Sequence, residues 1–150
     1  MSTFFCVWYY VRMQNITVHT DGGARGNPGP AGIGVAVYDD AKALMSELAE
    51  YIGEATNNVA EYTAIVRALE HIATLVADSK AVHLTVKLDS ELVQRQMNGV
   101  YKVKDATLKT YFDKAKQLTN EYASVAFIHI PRSENKMADK LANDAMDKSA

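Results

Sequence analysis

Hydrophobic residues change their period several times along this chain, and each change marks an element. Ile16, Val18 and Thr20 alternate with Thr17, His19 and Asp21, a period of two that predicts a strand closing at Asp21. The glycine- and proline-rich stretch 22–30 predicts a loop, or the tight hairpin turn that glycines also serve. Ile33, Val35 and Val37 share one side of a second strand over 31–38. A turn at Asp39-Asp40 leads to a third over 44–52, where the Ala, Glu and Met content leaves a helix open. Three strands with short connections predict an antiparallel meander. The period then lengthens: Ile65, Ala68, Leu69, Ile72 and Val76 predict a helix to about Ala77, with Asn57 or Asn58 as its cap. Alternation returns over 82–88 and ends in a second acid, Asp89. A short helix over 90–97 stops at Asn98-Gly99, and a longer one over 108–122 turns Leu108, Tyr111, Phe112, Ala115 and Leu118 inward. Residues 125–130 are near-continuously apolar, which predicts a strand covered on both faces. Beyond Pro131-Arg132, Ser133 is placed to cap a last helix over 134–146, with Met137, Leu141 and Ala145 inward.

The order β-β-β-α-β-α-α-β-α predicts an α/β fold, a mixed sheet with helices on its faces. Strands joined through helices are expected to be parallel. At 150 residues a single domain is the default, and 48% hydrophobic residues supply an ordinary core. Sixteen basic residues against 18 acidic ones give a net charge of −2, which excludes nucleic-acid binding driven by bulk charge; any such binding must be local. A single cysteine, Cys6, excludes an internal disulfide framework and points to a reducing compartment. The apolar, aromatic run 4–11 has no basic segment before it and no small-residue cleavage site after it, and is too short to span a bilayer. A soluble, cytoplasmic protein is expected. Residues 1–13 read as an N-terminal extension with no assigned role, and 14–150 as the domain.

The acids are placed oddly. Glu61 falls on the apolar stripe of its helix, one turn before Ile65. A carboxylate on a core-facing side is costly unless compensated, although the helix dipole favours an acid in a first turn. Asp21 and Asp89 both end strands, and open α/β sheets put ligand sites at the carboxyl ends of strands. Asp139 in the last helix is a fourth candidate. Converging carboxylates raise one another's pKa, and a hard divalent cation such as Mg²⁺ resolves that repulsion. Two such ions can activate a water and stabilise a leaving oxygen in phosphodiester cleavage. Asp39, Asp40, Glu47, Glu50, Asp105, Asp113 and Asp147 read as solvated surface.

Four stretches carry a family resemblance. Thr20-Asp21-Gly22-Gly23-Ala24-Arg25-Gly26-Asn27-Pro28-Gly29-Pro30-Ala31-Gly32 resembles the opening signature of type 1 ribonuclease H. Thr56-Asn57-Asn58-Val59-Ala60-Glu61 resembles its second motif, Leu88-Asp89-Ser90 the third, and the run from Pro131 through Asn135 and Asp139 to Ala142 the fourth. The match runs in order from about Ile16 to the C-terminus. The resemblance implies a ribonuclease H domain over 14–150 with a five-stranded sheet, three antiparallel then two parallel strands. It implies that Asp21, Glu61, Asp89 and Asp139 are catalytic and hold two Mg²⁺ ions, with Mn²⁺ able to substitute. It implies hydrolysis of the RNA strand of an RNA–DNA hybrid, leaving 5′-phosphate and 3′-hydroxyl ends, by a monomer. Asn27, Asn57 and Asn58 would contact RNA 2′-hydroxyls, the groups that distinguish RNA from DNA. Gly22 and Gly23 would let the backbone approach the sugar edge. Thr56 and Ser90 would contact the nucleic-acid backbones, and Arg132 and Asn135 complete the expected substrate-binding set.

Two departures stand out. The loop 131–135 lacks the histidine that many bacterial members carry there, as in archaeal and actinobacterial-like members, and Arg132 is placed to stand in for it. His129 falls one residue too early and is expected to be packed. The segment 99–108 is too short for the basic handle of some relatives; Lys102, Lys104 and Lys109 remain, and with Arg25 the first two are candidate phosphate contacts. Whether double-stranded RNA is also cut stays open. A catalytically silent hybrid-binding module is the alternative of another class, and a domain of a larger polymerase or integrase system is a third.

Overall fold

One five-stranded sheet in the order β3-β2-β1-β4-β5 organises the chain. The structure is a computed structural model and describes residues 12–148; the expectations for the run 4–11 lie outside the described residues. The strands are β1 (Gln14–Ala24), β2 (Gly29–Tyr38), β3 (Leu44–Ala55), β4 (Val82–Leu88) and β5 (Ser124–His129). Both β1–β2 and β2–β3 are antiparallel, whereas β1–β4 and β4–β5 are parallel. This is the mixed sheet expected from the order of elements.

The helices are α1 (Asn57–Leu75), α2 (Glu91–Met97), α3 (Ala106–Thr119) and α4 (Lys136–Lys148). The stripe of α1 buries Ile65, Ala68, Leu69 and Ile72 against Val18, Val35, Val37 and Val86. That face of the sheet, with α1 on it and α3 packed against α1, forms the main core. The opposite face of β2 receives α4, whose small buried residues Ala138, Ala142 and Ala145 let it lie close. Gly34 makes this possible, because a Cβ there would stand 2.0 Å from the Ala138 carbonyl oxygen. None of the helices among the described residues is long and apolar enough to cross a membrane.

Several boundaries differ from expectation for physical reasons. β1 does not close at Asp21 but runs on to Ala24, paired with β2 through Ala24↔Ala31, so the expected loop shrinks to a four-residue tip. Thr56, rather than Asn57 or Asn58, caps α1: its Oγ1 accepts the Val59 N–H at 3.2 Å. The third strand continues to Ala55, because its pairing with β2 extends to Gly29. β5 is an edge strand, not one covered on both faces; Phe127 is buried but Ile128 is 43% exposed, and His129, expected to be packed, is exposed. Asp105 caps α3 three residues earlier than the apolar pattern alone suggests. Ser133 sits in a 3₁₀ turn, Arg132–Glu134, ahead of α4, and Met137 points outward.

Candidate active site

The register of the sheet brings the first two acids together. Thr20 pairs with Leu88 across the parallel β1–β4 ladder, so Asp21 and Asp89, each one residue further on, stand side by side. Glu61 arrives from the second turn of α1, and this depends on Gly22. A Cβ at Gly22 would lie 2.2 Å from the Ala60 carbonyl oxygen, so only glycine lets α1 settle onto β1 at this height. The Gly22 N–H then donates to Glu61 Oε1 at 3.2 Å. Carboxylate oxygens of Asp21, Glu61 and Asp89 all lie within 4.8 Å of one another.

Asp21 and Glu61 are each only 8% exposed. Burial, reinforced by the neighbouring charge of Asp89, pushes the Asp21 carboxyl from 3.8 up to about 7. Burial and the charges of Asp21 and Asp89 raise Glu61 well above the carboxylate range, and the Gly22 N–H opposes this. Three close acids in a partly dry site are a set of hard oxygen donors whose mutual repulsion a divalent cation would balance.

Asp139 stands beside this trio from α4. It adds to the rise of Asp21, and its Oδ1 accepts from Arg132 Nη2 at 3.3 Å and Asn143 Nδ2 at 3.4 Å. Arg132 is 79% exposed at the rim. All four acids line one cleft of ≈ 390 Å³, together with Gly22, Gly23, Asn57, Asn58, Ser90 and Arg132.

The remaining expected residues divide by what they touch. Asn57 Oδ1 accepts the Ala24 N–H at 2.9 Å, and the Asn57 N–H donates to Asn27 Oδ1 at 3.0 Å, so hairpin tip and helix start are stitched together. Ser90 Oγ accepts the Val93 N–H at 3.3 Å and caps α2. Asn135 does not face the cleft: it is wholly buried, and its Nδ2 donates to the Thr20 carbonyl at 2.9 Å and to Asp89 Oδ2 at 3.2 Å. Arg25 lines the cleft but is engaged with Asp147 at 2.6 Å. Sequence reasoning missed Asn143, although its place four residues after Asp139 on one helix face was a usable signal.

Acids gathered where the parallel pairing of β1 and β4 ends, on a β3-β2-β1-β4-β5 sheet, define an α/β class with a carboxylate-lined cleft. The family model described as "Reverse transcriptase-like" matches residues 19–145. Among solved structures, LC11-RNase H1, isolated from compost by a metagenomic approach, is 50% identical with a TM-score of 0.87; the match covers 91% of this chain and 99% of that one. RNase H1 from the halophilic archaeon Halobacterium salinarum is 34% identical with a TM-score of 0.84, covering 89% and 98%. The bifunctional protein Rv2228c of Mycobacterium tuberculosis is 41% identical over 138 residues, 91% of this chain. The chain spans only 37% of the length of that curated relative. The chain belongs to the type 1 ribonuclease H family.

Proposed function

We propose that this chain is a metal-dependent endoribonuclease that hydrolyses the RNA strand of an RNA–DNA hybrid, giving 5′-phosphate and 3′-hydroxyl ends. The observation that carries the reading is the trio Asp21, Glu61 and Asp89, drawn within 4.8 Å from three different elements and opening on a cleft. The donor set fits a hard cation: oxygen ligands only, two of them buried and raised in pKa. Mg²⁺ is the cation we assign, held by Asp21, Glu61, Asp89 and Asp139, with Mn²⁺ able to replace it. Two such ions supply an activated water and a stabilised leaving oxygen when bound.

The chain's own groups do the positioning. Gly22 N–H orients Glu61, and Arg132 and Asn143 hold Asp139 at the rim. Asn57, tied to Ala24 and Asn27, and the neighbouring Asn58 form a polar ledge beside the acids, suited to reading 2′-hydroxyls. Gly23 leaves that ledge open to a sugar, Thr56 and Ser90 stand at the two helix starts, and Arg132 offers its charge to a phosphate. LC11-RNase H1 has been solved in complex with an RNA/DNA hybrid, with 49% identity to this chain.

The test is a substrate panel: end-labelled RNA–DNA hybrid, double-stranded RNA, single-stranded RNA and double-stranded DNA, each with Mg²⁺, Mn²⁺ or EDTA. Cutting of the RNA strand of the hybrid in either metal, and none in EDTA, is expected. Hybrid binding without cutting in any metal would leave a binding module instead. The double-stranded RNA lane decides whether that duplex is a second substrate.

A further inference from the structure

Asn135 touches the frame of three of the four acids. It precedes α4, and its backbone carbonyl accepts the Asp139 N–H at 3.1 Å, which starts the helix that presents Asp139. Its side-chain Nδ2 donates both to the Thr20 carbonyl, the peptide that leads into Asp21, and to Asp89 Oδ2. The orientation of the amide follows from chemistry: both partners are acceptors, so only the NH₂ group can face them. The side chain is fully buried, and the half-buried ring of His19 interacts with the same amide. A group so enclosed cannot reach a nucleic acid lying in the cleft. It can decide which way one carboxylate points, and a carboxylate accepting a hydrogen bond on one oxygen presents its other oxygen in a set direction.

We propose that Asn135 is a positioning residue. Its amide pins Asp89 to the Thr20 carbonyl of β1 and so sets the affinity of the acid cluster for a divalent cation, rather than contacting substrate. The proposal rests on the reading of the cluster as a cation site. Partners behind a metal ligand typically change metal affinity or activity by about 10–100-fold when removed. An aspartate at this place would set a further carboxylate against Asp89 and a carbonyl oxygen, which is a reason for the amide.

The experiment titrates Mn²⁺, and separately Mg²⁺, calorimetrically into the metal-free full chain without nucleic acid. The proteins are wild type, Asn135→Ala, Asn135→Ser, Asp89→Asn and the double variant Asn135→Ala/Asp89→Asn. Thermal melts run in parallel, and KM for the hybrid is measured at saturating metal. The expected result is a metal affinity about tenfold weaker in both Asn135 variants, with KM for the hybrid within twofold of wild type. In the Asp89→Asn background the further loss from Asn135→Ala should vanish, because the amide acts through that carboxylate. Unchanged metal affinity in a folded Asn135 variant would overturn the proposal, as would a raised KM with unchanged metal affinity. The same loss with and without Asp89, or failure of both Asn135 variants to fold, would also overturn it, since the role would then be fold-wide. If the wild-type chain itself binds no cation through Asp89, the reading of the cluster fails instead.

Discussion

Replacing Asp21 with asparagine should make the metal-free protein more stable while destroying its cation site. Asp21 is 8% exposed, and its carboxyl titrates at about 7 instead of 3.8. The folded state therefore binds more protons than the unfolded chain between those values. Stability of the metal-free protein must fall as pH rises through that window, and the penalty is fully present above about 7. A rise of about three pH units at ~1.4 kcal/mol each sets an upper bound of about 4 kcal/mol. Glu61 and Asp89 share the repulsion, so roughly half of that bound, about 2 kcal/mol, is the expected gain from Asp21→Asn. For a domain of this size, that corresponds to roughly 4–8 °C in melting temperature. The assay is a set of thermal melts in EDTA at pH 8 and at pH 4.5, repeated at pH 8 with excess Mg²⁺. The variant should melt well above wild type at pH 8 in EDTA. The gap should narrow at pH 4.5, where Asp21 of the wild type is already protonated, and close or reverse when Mg²⁺ stabilises only the wild type. A variant that melts below wild type at pH 8 in EDTA, or whose gain is the same at both pH values, would mean that the buried Asp21 carboxylate carries no such penalty.

Other substitutions read out the architecture around the site. Gly22→Ala places a Cβ 2.2 Å from the Ala60 carbonyl oxygen, so α1 must shift; a stability loss of about 1–3 kcal/mol and a sharp fall in hybrid cleavage are expected from melts and initial rates. Thr56→Ala removes the cap on Val59 and should cost about 1 kcal/mol in urea unfolding. Asn57→Ala unties the hairpin tip from α1 and should raise KM for the hybrid about fivefold, the equivalent of one hydrogen bond of roughly 1 kcal/mol, with kcat largely retained.

How far the fold could be read in advance differs from element to element. The alternation in β1 and β4 and the helical stripe of α1 each bury one face, so their residues carry the pattern directly. From that pattern the adjacency of Asp21 and Asp89 followed once the two strands were neighbours. Gly22 misled, because glycine signals a turn locally, whereas here its lack of a side chain serves a close helix approach within a continuing strand. The apolar run of β5 looked doubly covered, yet an edge strand with an uncovered outer face can carry the same residues; composition does not say where a sheet stops. Asn135 lay in the motif that resembled the family, and its burial beneath the acids was invisible there, because only the fold shows which way a loop residue faces. Arg25, read as a candidate phosphate contact, and Asp147, read as solvated surface, find each other across the hairpin tip and α4.

On the function proposed above, the acid cluster cuts and the rest of the cleft holds. The measurement that tests it most directly compares wild type with Asp89→Asn on one end-labelled RNA–DNA hybrid, scoring binding and cleavage separately in Mg²⁺. Wild type should cut the RNA strand only, leaving 3′-hydroxyl ends, and Asp89→Asn should bind the hybrid without cutting it. Cleavage that survives in Asp89→Asn would mean that the chemistry happens elsewhere than in the cluster.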